Sequence, residues 1–409
     1  MQVGKEYAVK KNRYLLYAIS FLQGMVFYGP VATLYRQNRG VGLFEIALME
    51  SISLGLCLLL EIPWGMLADH MGHRRTMVLC CGLYALSKVV FWQARGFAGF
   101  LAERLLLSVV LAGMSGVDSS LLYQTCDDAD SCRVFGVYEG LGMAGLLAAT
   151  GIFSVLVKEN DGLAALLTVG SYTLAFLLTL GLEDDGISPP RQRPSLKAAL
   201  GELGHNGPLL LFLMGAALWN ETHQYITVFL SQVCYARQGM GSSAMGWAYG
   251  AAGLLAMAGP WSAGLCRHLG REKCLLLLGS VGVGACGMLA FVPGIWAAVT
   301  GVLALRLASA LLTPLQMQVQ HQQVRSANRA TALSVNAMVM ESVGAGANLA
   351  FGALTQGGLT LTLTAAGGLC LLGTVLSGLG QKKLVETQGN LCYNTPIPPT
   401  EIEEGSASQ

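Results

Sequence analysis

The sequence predicts an all-α membrane protein with twelve transmembrane helices, and three observations support this fold class. Apolar residues make up 53% of the 409 residues and charged residues only 12%, whereas charged residues are about a quarter of an ordinary soluble domain. The chain contains 52 glycines, and small residues let helices approach closely in lipid. Twelve apolar runs are long enough to cross a bilayer, which takes about 20 residues.

The apolar runs, numbered here as spans 1 to 12, also predict how the chain is divided. They cover residues 14–35, 43–64, 76–95, 98–122, 133–157, 162–182, 208–233, 243–265, 274–292, 295–320, 330–354 and 358–380. The most polar interruption separates the spans six and six. We therefore expect an N-terminal six-helix bundle at 1–182, a cytoplasmic central loop at 183–207, a C-terminal six-helix bundle at 208–382 and a disordered cytoplasmic tail at 383–409.

The distribution of Lys and Arg predicts the orientation in the membrane, because basic loops stay in the cytoplasm. Most basic residues fall in segments on the same side as the two termini, among them Lys11 and Arg13. Arg36 and Arg39 are exceptions on the other side. We expect a multi-pass protein of the cytoplasmic membrane with both termini inside the cell.

Several classes of protein are disfavoured by the sequence. The net charge is +1 and there is no basic stripe, so we expect no nucleic-acid partner. The 11 cysteines lack the paired spacing of a zinc or redox site, and no glycine-rich phosphate loop is followed by a lysine. No nucleophile stands with a catalytic base. We therefore expect no enzyme, no cofactor and no metal.

The connection between spans 2 and 3 carries the most specific motif, EIPWGMLADHMGHRR at residues 61–75. Within it, Gly65 allows a close helix approach and Gly72 permits a tight turn. Asp69 can face the positive N-terminal end of a helix in the other half. Arg74 and Arg75 would hold the connection at the cytoplasmic face. These five residues are candidates for conformational control.

This motif resembles the signature loop of the major facilitator superfamily, in particular of a bacterial branch with drug-efflux-like members. The second half repeats the pattern as GLCRHLGREK at 264–273, with Arg267 where the first copy has Asp69. One loop pattern in both halves indicates an internal repeat. The resemblance covers about residues 10–382. It implies a secondary transporter whose two bundles rock about a central site, although span 5 lacks the proline usual in drug/proton antiporters.

Ionisable and polar residues inside the spans are the candidates for contact with substrate or protons, since a charge near the bilayer centre costs about 2.5–3.5 kcal/mol. They are Asn220, Glu221, His223 and Gln224 of span 7, Arg306 of span 10, Asn336 and Glu341 of span 11, and Gln23 and Tyr28 of span 1. Glu221 is the expected proton acceptor, because loss of water favours a neutral carboxyl. The alternative is a purely structural salt bridge among Glu221, Arg306 and Glu341.

Other polar residues in the spans are expected to act as gates or anchors. Glu50 and Lys88 lie at similar depth in adjacent spans, and we expect them to pair, as a fixed link or as a gate. Asp118 and Glu139 lie nearer the cytoplasm and are expected at an inner gate. Two further groups are interpreted as non-functional: a solvated turn at the end of span 10 and interfacial aromatic anchors at the start of span 8. Their members are Gln316, Gln318 and Gln320, and Trp247 and Tyr249.

These observations favour a monomeric transporter that moves a small molecule across the lipid bilayer. Because the interior is apolar and charged groups are few, we expect a proton-coupled exporter, an antiporter for drug-like or amphipathic compounds. Import of a polar metabolite is the alternative within transporters. A protein of the same fold that serves as a membrane sensor or assembly partner without transporting is the alternative from a different class.

Overall fold

The computed structural model describes residues 2–114, 116–126, 130–183, 201, 203, 204, 206–323 and 329–394. For 2–8, 61, 62, 65, 68, 69, 132, 329–331 and 387–394, it describes the backbone only. Within the described ranges, all regular secondary structure is helical. The predicted all-α class is confirmed.

The N-terminal half contains spans 1 to 6, several of them built from more than one helical segment. Span 1 comprises Gln2–Gly24, a 3₁₀ turn at Gly29–Val31 and Ala32–Gln37; span 2 is Leu43–Met71, span 3 is His73–Gln93, span 4 is Gly96–Met114 with Val117–Tyr123, span 5 is Ser131–Ile152 with a π-helical turn at Phe153–Val157, and span 6 is Asp161–Thr179.

The C-terminal half repeats this arrangement in spans 7 to 12. Span 7 comprises Gly207–Gln224, a π-helical segment at Tyr225–Leu230 and Ser231–Arg237; span 8 comprises Ser242–Ala256, a 3₁₀ turn at Gly259–Trp261 and Ser262–Leu269; span 9 is Arg271–Phe291, span 10 is Ile295–Gln323, span 11 is Arg329–Thr355 and span 12 is Leu359–Asn394.

In the described parts of the chain, ten of these spans are long and apolar enough to cross a membrane. The other two spans, at 207–237 and 242–269, are divided by the π-helical segment and the 3₁₀ turn. Span 7 also carries several polar residues near its middle. Non-ideal helix geometry of this kind is common at functional positions. Twelve spans in two six-helix bundles agree with the predicted fold.

The helix bounds differ from the predicted ones at two places. Span 2 runs to Met71, so most of the EIPWGMLADHMGHRR motif is helical and the turn is confined to Gly72. Span 12 continues to Asn394, past the predicted boundary at 382. The predicted central loop lies largely, and the rest of the tail at 395–409 entirely, outside the described residues.

Two equivalent turns support the internal repeat. Gly72 separates spans 2 and 3 with φ of 83°, and Gly270 separates spans 8 and 9 with φ of 79°. Glycine adopts positive φ without the steric cost of a Cβ atom. The two halves therefore use glycine for the same backbone conformation at corresponding turns.

Spans 7 and 12 pack backbone against backbone at Gly215. A Cβ atom added there would lie 2.5 Å from the backbone nitrogen of Ser377 and 2.6 Å from the carbonyl oxygen of Gly373. In the N-terminal half, Gly24 and Gly142 bring spans 1 and 5 equally close. Such approaches supply the van der Waals contact that holds helices together in lipid.

We expect Gly215→Ala to lower the free energy of unfolding by about 1–3 kcal/mol, because one methyl group must force two backbones apart. The matched control is Gly284→Ala in span 9, where an added Cβ meets nothing within 4 Å. There alanine should be neutral or slightly stabilising, since its helix propensity exceeds that of glycine by up to about 1 kcal/mol. Denaturant titration of both variants in detergent measures the difference, and equal midpoints would contradict the packing argument.

The two halves contact each other on the side away from the termini, called here the far side. The backbone N–H of Thr33 donates to Oε1 of Gln232 at 2.7 Å, which joins spans 1 and 7. Ser243 Oγ donates to the carbonyl of Ser154 at 2.5 Å, which joins spans 8 and 5. Ser51 Oγ donates at 3.0 Å to a carbonyl of span 11. The halves are therefore closed together on the far side.

Candidate functional site

Glu221 in the middle of span 7 is held by neutral groups. Its Oε1 accepts a hydrogen bond from Nδ2 of Asn348 in span 11 at 2.5 Å. A Cβ atom added to Gly344, one helical turn from Asn348, would lie 2.8 Å from Oε2 of Glu221. Gly344 thus leaves the space that the carboxylate fills. An amide partner and a glycine do not fix the charge of a carboxyl group as a cation would.

A second polar contact links spans 7 and 10. Nδ2 of Asn220 donates to Oε1 of Gln316 at 2.9 Å, and Gln316 is buried. The interpretation of Gln316 as part of a solvated turn is therefore wrong, because span 10 continues for seven further residues, to Gln323. Gln318 is exposed, and Gln320 donates to the sulfur of Met340.

His223 and Gln224 lie on different faces of span 7. His223 is buried, and its ring stacks parallel to that of Trp219 with centroids 6.0 Å apart. Nε2 of His223 lies 3.5 Å from the hydroxyl of Thr227, one turn further along. Gln224 is exposed. The structure therefore groups Asn220 and Glu221 with partners on other spans and leaves Gln224 apart from them.

Arg306 does not form the salt bridge with Glu221 that was the structural alternative. Among the ion pairs of described residues, none joins Arg306 to Glu221 or to Glu341. Arg306 lines a cavity of about 310 Å³ between spans 8 and 10. Glu341 is half-buried on span 11. Asn336 of the same span is buried, and its Nδ2 has no hydrogen-bond partner in the described part of the chain.

Glu50 and Lys88 do not pair, so that prediction is wrong. Glu50 forms an ion pair with Arg104 of span 4. Nζ of Lys88 instead donates to the hydroxyl of Tyr28 in span 1 at 3.1 Å. Similar depth in adjacent spans did not place the two side chains on facing surfaces, because Glu50 faces span 4 and Lys88 faces span 1.

A second buried ion pair lies beside the first. Arg36 and Glu103 approach to 3.7 Å, and the guanidinium of Arg36 lies over the ring of Phe91 at 5.2 Å. Together with Glu50 and Arg104, these residues form a four-charge cluster that joins spans 1, 2 and 4. The cluster is wholly within the N-terminal half and borders a small cavity that Phe229 of span 7 also lines.

Three of the remaining candidates of the N-terminal half have local partners. Tyr28 is buried and stacks on Phe91 with centroids 4.0 Å apart. Nε2 of Gln23 donates to the sulfur of Cys81 at 3.3 Å. Asp118 accepts from the backbone N–H of Ser119 at 2.7 Å. Glu139 is exposed.

The motif residues occupy the end of span 2 and the start of span 3. Arg74 donates to the carbonyl of Leu180 at 3.5 Å, and Arg75 is exposed. Only the backbone is described for Gly65 and Asp69, so the expected contact of the Asp69 side chain with the other half stays a prediction. In the second half, Trp247 is exposed, as an anchor would be. Tyr249 instead packs against Gly29 of span 1, which corrects its interpretation as an anchor.

The fold defines a multi-pass membrane protein, and polar side chains meet inside its C-terminal half. The family model of the Major Facilitator Superfamily matches residues 14–348, and the chain belongs to this family. It is a multi-pass membrane protein and a transporter of a small molecule rather than an enzyme. No curated protein matches the chain.

Solved structures of low sequence identity share the fold. The nucleoside transporter NupG has a TM-score of 0.74 at 14% identity, with 94% of this chain and 100% of that chain covered. A bacterial homolog to the human lysosomal transporter Spinster, in an inward-facing and unoccupied conformation, has a TM-score of 0.73 at 15% identity, with 93% and 97% covered. A mutant of the peptide transporter POT has a TM-score of 0.70 at 15% identity, with 93% and 95% covered. At these identities the likeness concerns the fold alone.

Proposed function

We propose that this transporter exports an amphipathic compound in exchange for protons, with Glu221 as the proton-binding group. The observation that carries the proposal is the environment of Glu221. Its carboxyl group lies mid-span, is bonded by the Asn348 amide and has no ion-pair partner among the described residues. A carboxyl group held in this way can take up and release a proton without breaking a salt bridge.

The location of Glu221 supports a coupling role. Spans 7 and 11 both contact the N-terminal half on the far side, through Gln232 and through the carbonyl of Ala345. A proton on Glu221 changes its hydrogen bond with Asn348, and hence the contact between the two spans that bear these inter-half bonds. In an alternating-access cycle, such a change biases the equilibrium between the two states.

An amphipathic substrate is supported by the aromatic side chains around the inter-half contact. Tyr28 and Tyr172 are buried in the N-terminal half, and Tyr249 of the C-terminal half lies against Gly29. Aromatic rings with a hydroxyl at one end suit compounds that are apolar on one side and polar on the other.

We further propose that the protein works as a monomer in the cytoplasmic membrane, with both termini in the cytoplasm. The excess of Lys and Arg on the side of the termini supports this orientation. In this orientation the far side, where the halves are closed, faces outward. An exporter takes up its substrate from the cytoplasm, so export starts from a conformation that is closed on the far side, as the described one is.

The test is transport of dansyl probes in proteoliposomes: anionic dansylate, neutral dansylamide and cationic dansylcadaverine, which share one fluorophore. For a probe that the wild type carries, a proton gradient should drive flux from the cytoplasmic face of the protein to its far side. Glu221→Gln should reduce this gradient-driven flux to the level of protein-free liposomes, while exchange of the probe at equal pH on both sides continues.

Glu159→Gln is the control, because Glu159 is an exposed carboxyl in the connection between spans 5 and 6. It should leave gradient-driven flux unchanged. Flux that survives in Glu221→Gln would reject Glu221 as the coupling carboxyl. Accumulation of the probe toward the cytoplasmic face would show that the protein imports its substrate and would reject export.

A further inference from the structure

We infer that the substrate carries an anionic group, bound between Lys88 of the N-terminal half and Arg306 of the C-terminal half. This inference rests on the proposed transport function and specifies its substrate class. The site consists of two cations, one on each side of the contact between the halves, and neither forms an ion pair with another described residue.

Lys88 is a buried cation without a carboxylate. It is 4% exposed, and no ion pair of the described residues includes it. Its ammonium group donates to the hydroxyl of Tyr28 and lies 4.8 Å and 5.0 Å from the ring centroids of Tyr84 and Tyr172. Aromatic faces stabilise a desolvated cation, yet they leave its net charge in place.

Arg306 is the corresponding cation of the C-terminal half. It lines the cavity of about 310 Å³ between spans 8 and 10, together with Gly259, Ser309 and Thr313. Within the described part of the chain, no carboxylate pairs with it. Its guanidinium lies close enough to His223 and Tyr249 to act on both electrostatically. A planar guanidinium can bind a carboxylate or sulfonate through two parallel hydrogen bonds.

Tyr249 lies against Gly29, the residue after Tyr28, and this contact between the halves lies between the helices that carry the two cations. Tyr28 accepts the hydrogen bond of Lys88. The hydroxyl of Tyr249 would lie 3.1 Å from a Cβ atom added to Gly29, the residue after Tyr28. Arg306 is on span 10, which packs against span 8, the span that carries Tyr249. An anion bound beside the contact of Gly29 with Tyr249 would therefore meet one positive charge from each half, and its binding would depend on how the halves are placed.

Lys88 differs from two other cations in the spans of the N-terminal half. Arg104 and Arg36 are each matched with a glutamate in the four-charge cluster. A charge in a membrane span normally pairs with an opposite one or serves transport. Since Arg36 and Arg104 are matched with glutamates while Lys88 and Arg306 form no ion pair in the described part of the chain, the missing negative charge is assigned to the transported compound.

The test is binding of the three dansyl probes to the purified protein in detergent, measured as the shift in apparent melting temperature and as the dissociation constant by fluorescence titration. Dansylate should stabilise the wild type by mass action, whereas dansylamide and dansylcadaverine should bind at least about tenfold more weakly. Lys88→Met and Arg306→Gln should each weaken dansylate binding about 30-fold or more and leave the weak binding of dansylamide unchanged.

Matched controls are Lys382→Met and Arg237→Gln, which remove exposed cations outside the site. Both should bind dansylate like the wild type. Equal or tighter binding of the neutral or cationic probe, no binding of dansylate, or retention of dansylate binding in both site variants would each overturn the inference. Equilibrium binding needs no proton gradient, so the two tests are independent. A lack of anion selectivity in the binding test does not affect the flux test of Glu221, and failure of the flux test does not affect the binding test.

Discussion

A disulfide between Thr150→Cys and Gly250→Cys is expected to abolish transport. A Cβ atom added to Gly250 in span 8 would lie 3.9 Å from Cβ of Thr150 in span 5, close to the mean of about 3.8 Å for disulfides. The bond would tie the two halves together on their closed side. If transport requires the halves to separate there, the oxidised protein is held in one state and cannot complete the cycle.

The measurement is flux of the dansyl probe that the wild type carries, before oxidation, after oxidation and after reduction. Flux should fall to the level of protein-free liposomes on oxidation and return on reduction. The matched control is Gly367→Cys, whose Cβ would lie 3.4 Å from that of the native Cys286. That bond joins spans 9 and 12 within one half and should leave flux unchanged. Undiminished flux in the fully cross-linked Thr150/Gly250 protein would refute a cycle in which the far side opens.

Replacing Arg104 with glutamine is expected to lower the free energy of unfolding by about 3–5 kcal/mol, because it leaves a buried carboxylate without its counter-ion. The side chain of Glu50 is 4% exposed and that of Arg104 is 19% exposed. The substitution also removes one positive charge from the four-charge cluster, where Glu103 lies next to Arg104 in the chain. Both effects act in the same direction.

The double variant Glu50→Gln/Arg104→Gln should recover most of this loss, since neutral side chains of similar shape replace a buried ion pair at little cost. The exposed pair of Lys11 and Glu183 supplies the control, and Lys11→Gln should change stability by less than about 1 kcal/mol. Denaturant titration in detergent compares the four proteins. A double variant as unstable as Arg104→Gln would show that packing, and not charge, explains the effect.

Most of the fold could be predicted from the sequence, because lipid leaves few alternatives to the membrane helix. Long apolar runs predict the spans directly, and the most polar interruption predicts where the chain divides into halves. The local breaks were harder to predict. The π-helical segment at Tyr225–Leu230 and the 3₁₀ turn at Gly259–Trp261 lie inside apolar runs, so hydropathy alone does not distinguish them from continuous helix.

The sequence could predict the depth of the site residues in the membrane, but not which side chains they contact. Glu221 and Asn220 were found because polar residues are rare in a span, and the structure gives each a partner on another span. Asn348 was missed, although it stands four residues after Gly344 and seven after Glu341, so that all three share one face of span 11. That spacing was the available signal.

The pairing of charges depends on helix rotation, which depth does not specify. Glu50 and Lys88 satisfy the depth criterion, yet their partners are Arg104 and Tyr28. Each residue of a helix turns the side-chain direction by about 100°, so an unknown rotation leaves the facing neighbour undetermined. Only packing against specific neighbours, such as the glycine contacts of Gly215, fixes that rotation.

Alternating access of the two halves is the central claim, and distances between spin labels on each side of the membrane test it most directly. In a background without reactive native cysteines, one pair would be placed at Arg75 and Arg271 on the side of the termini, and another at Arg95 and Val292 on the far side. The labels of a pair then report one half against the other. The account predicts two distance populations for each pair, and conditions that lengthen one distance shorten the other. One unchanged distance on both sides under every pH and probe would contradict it.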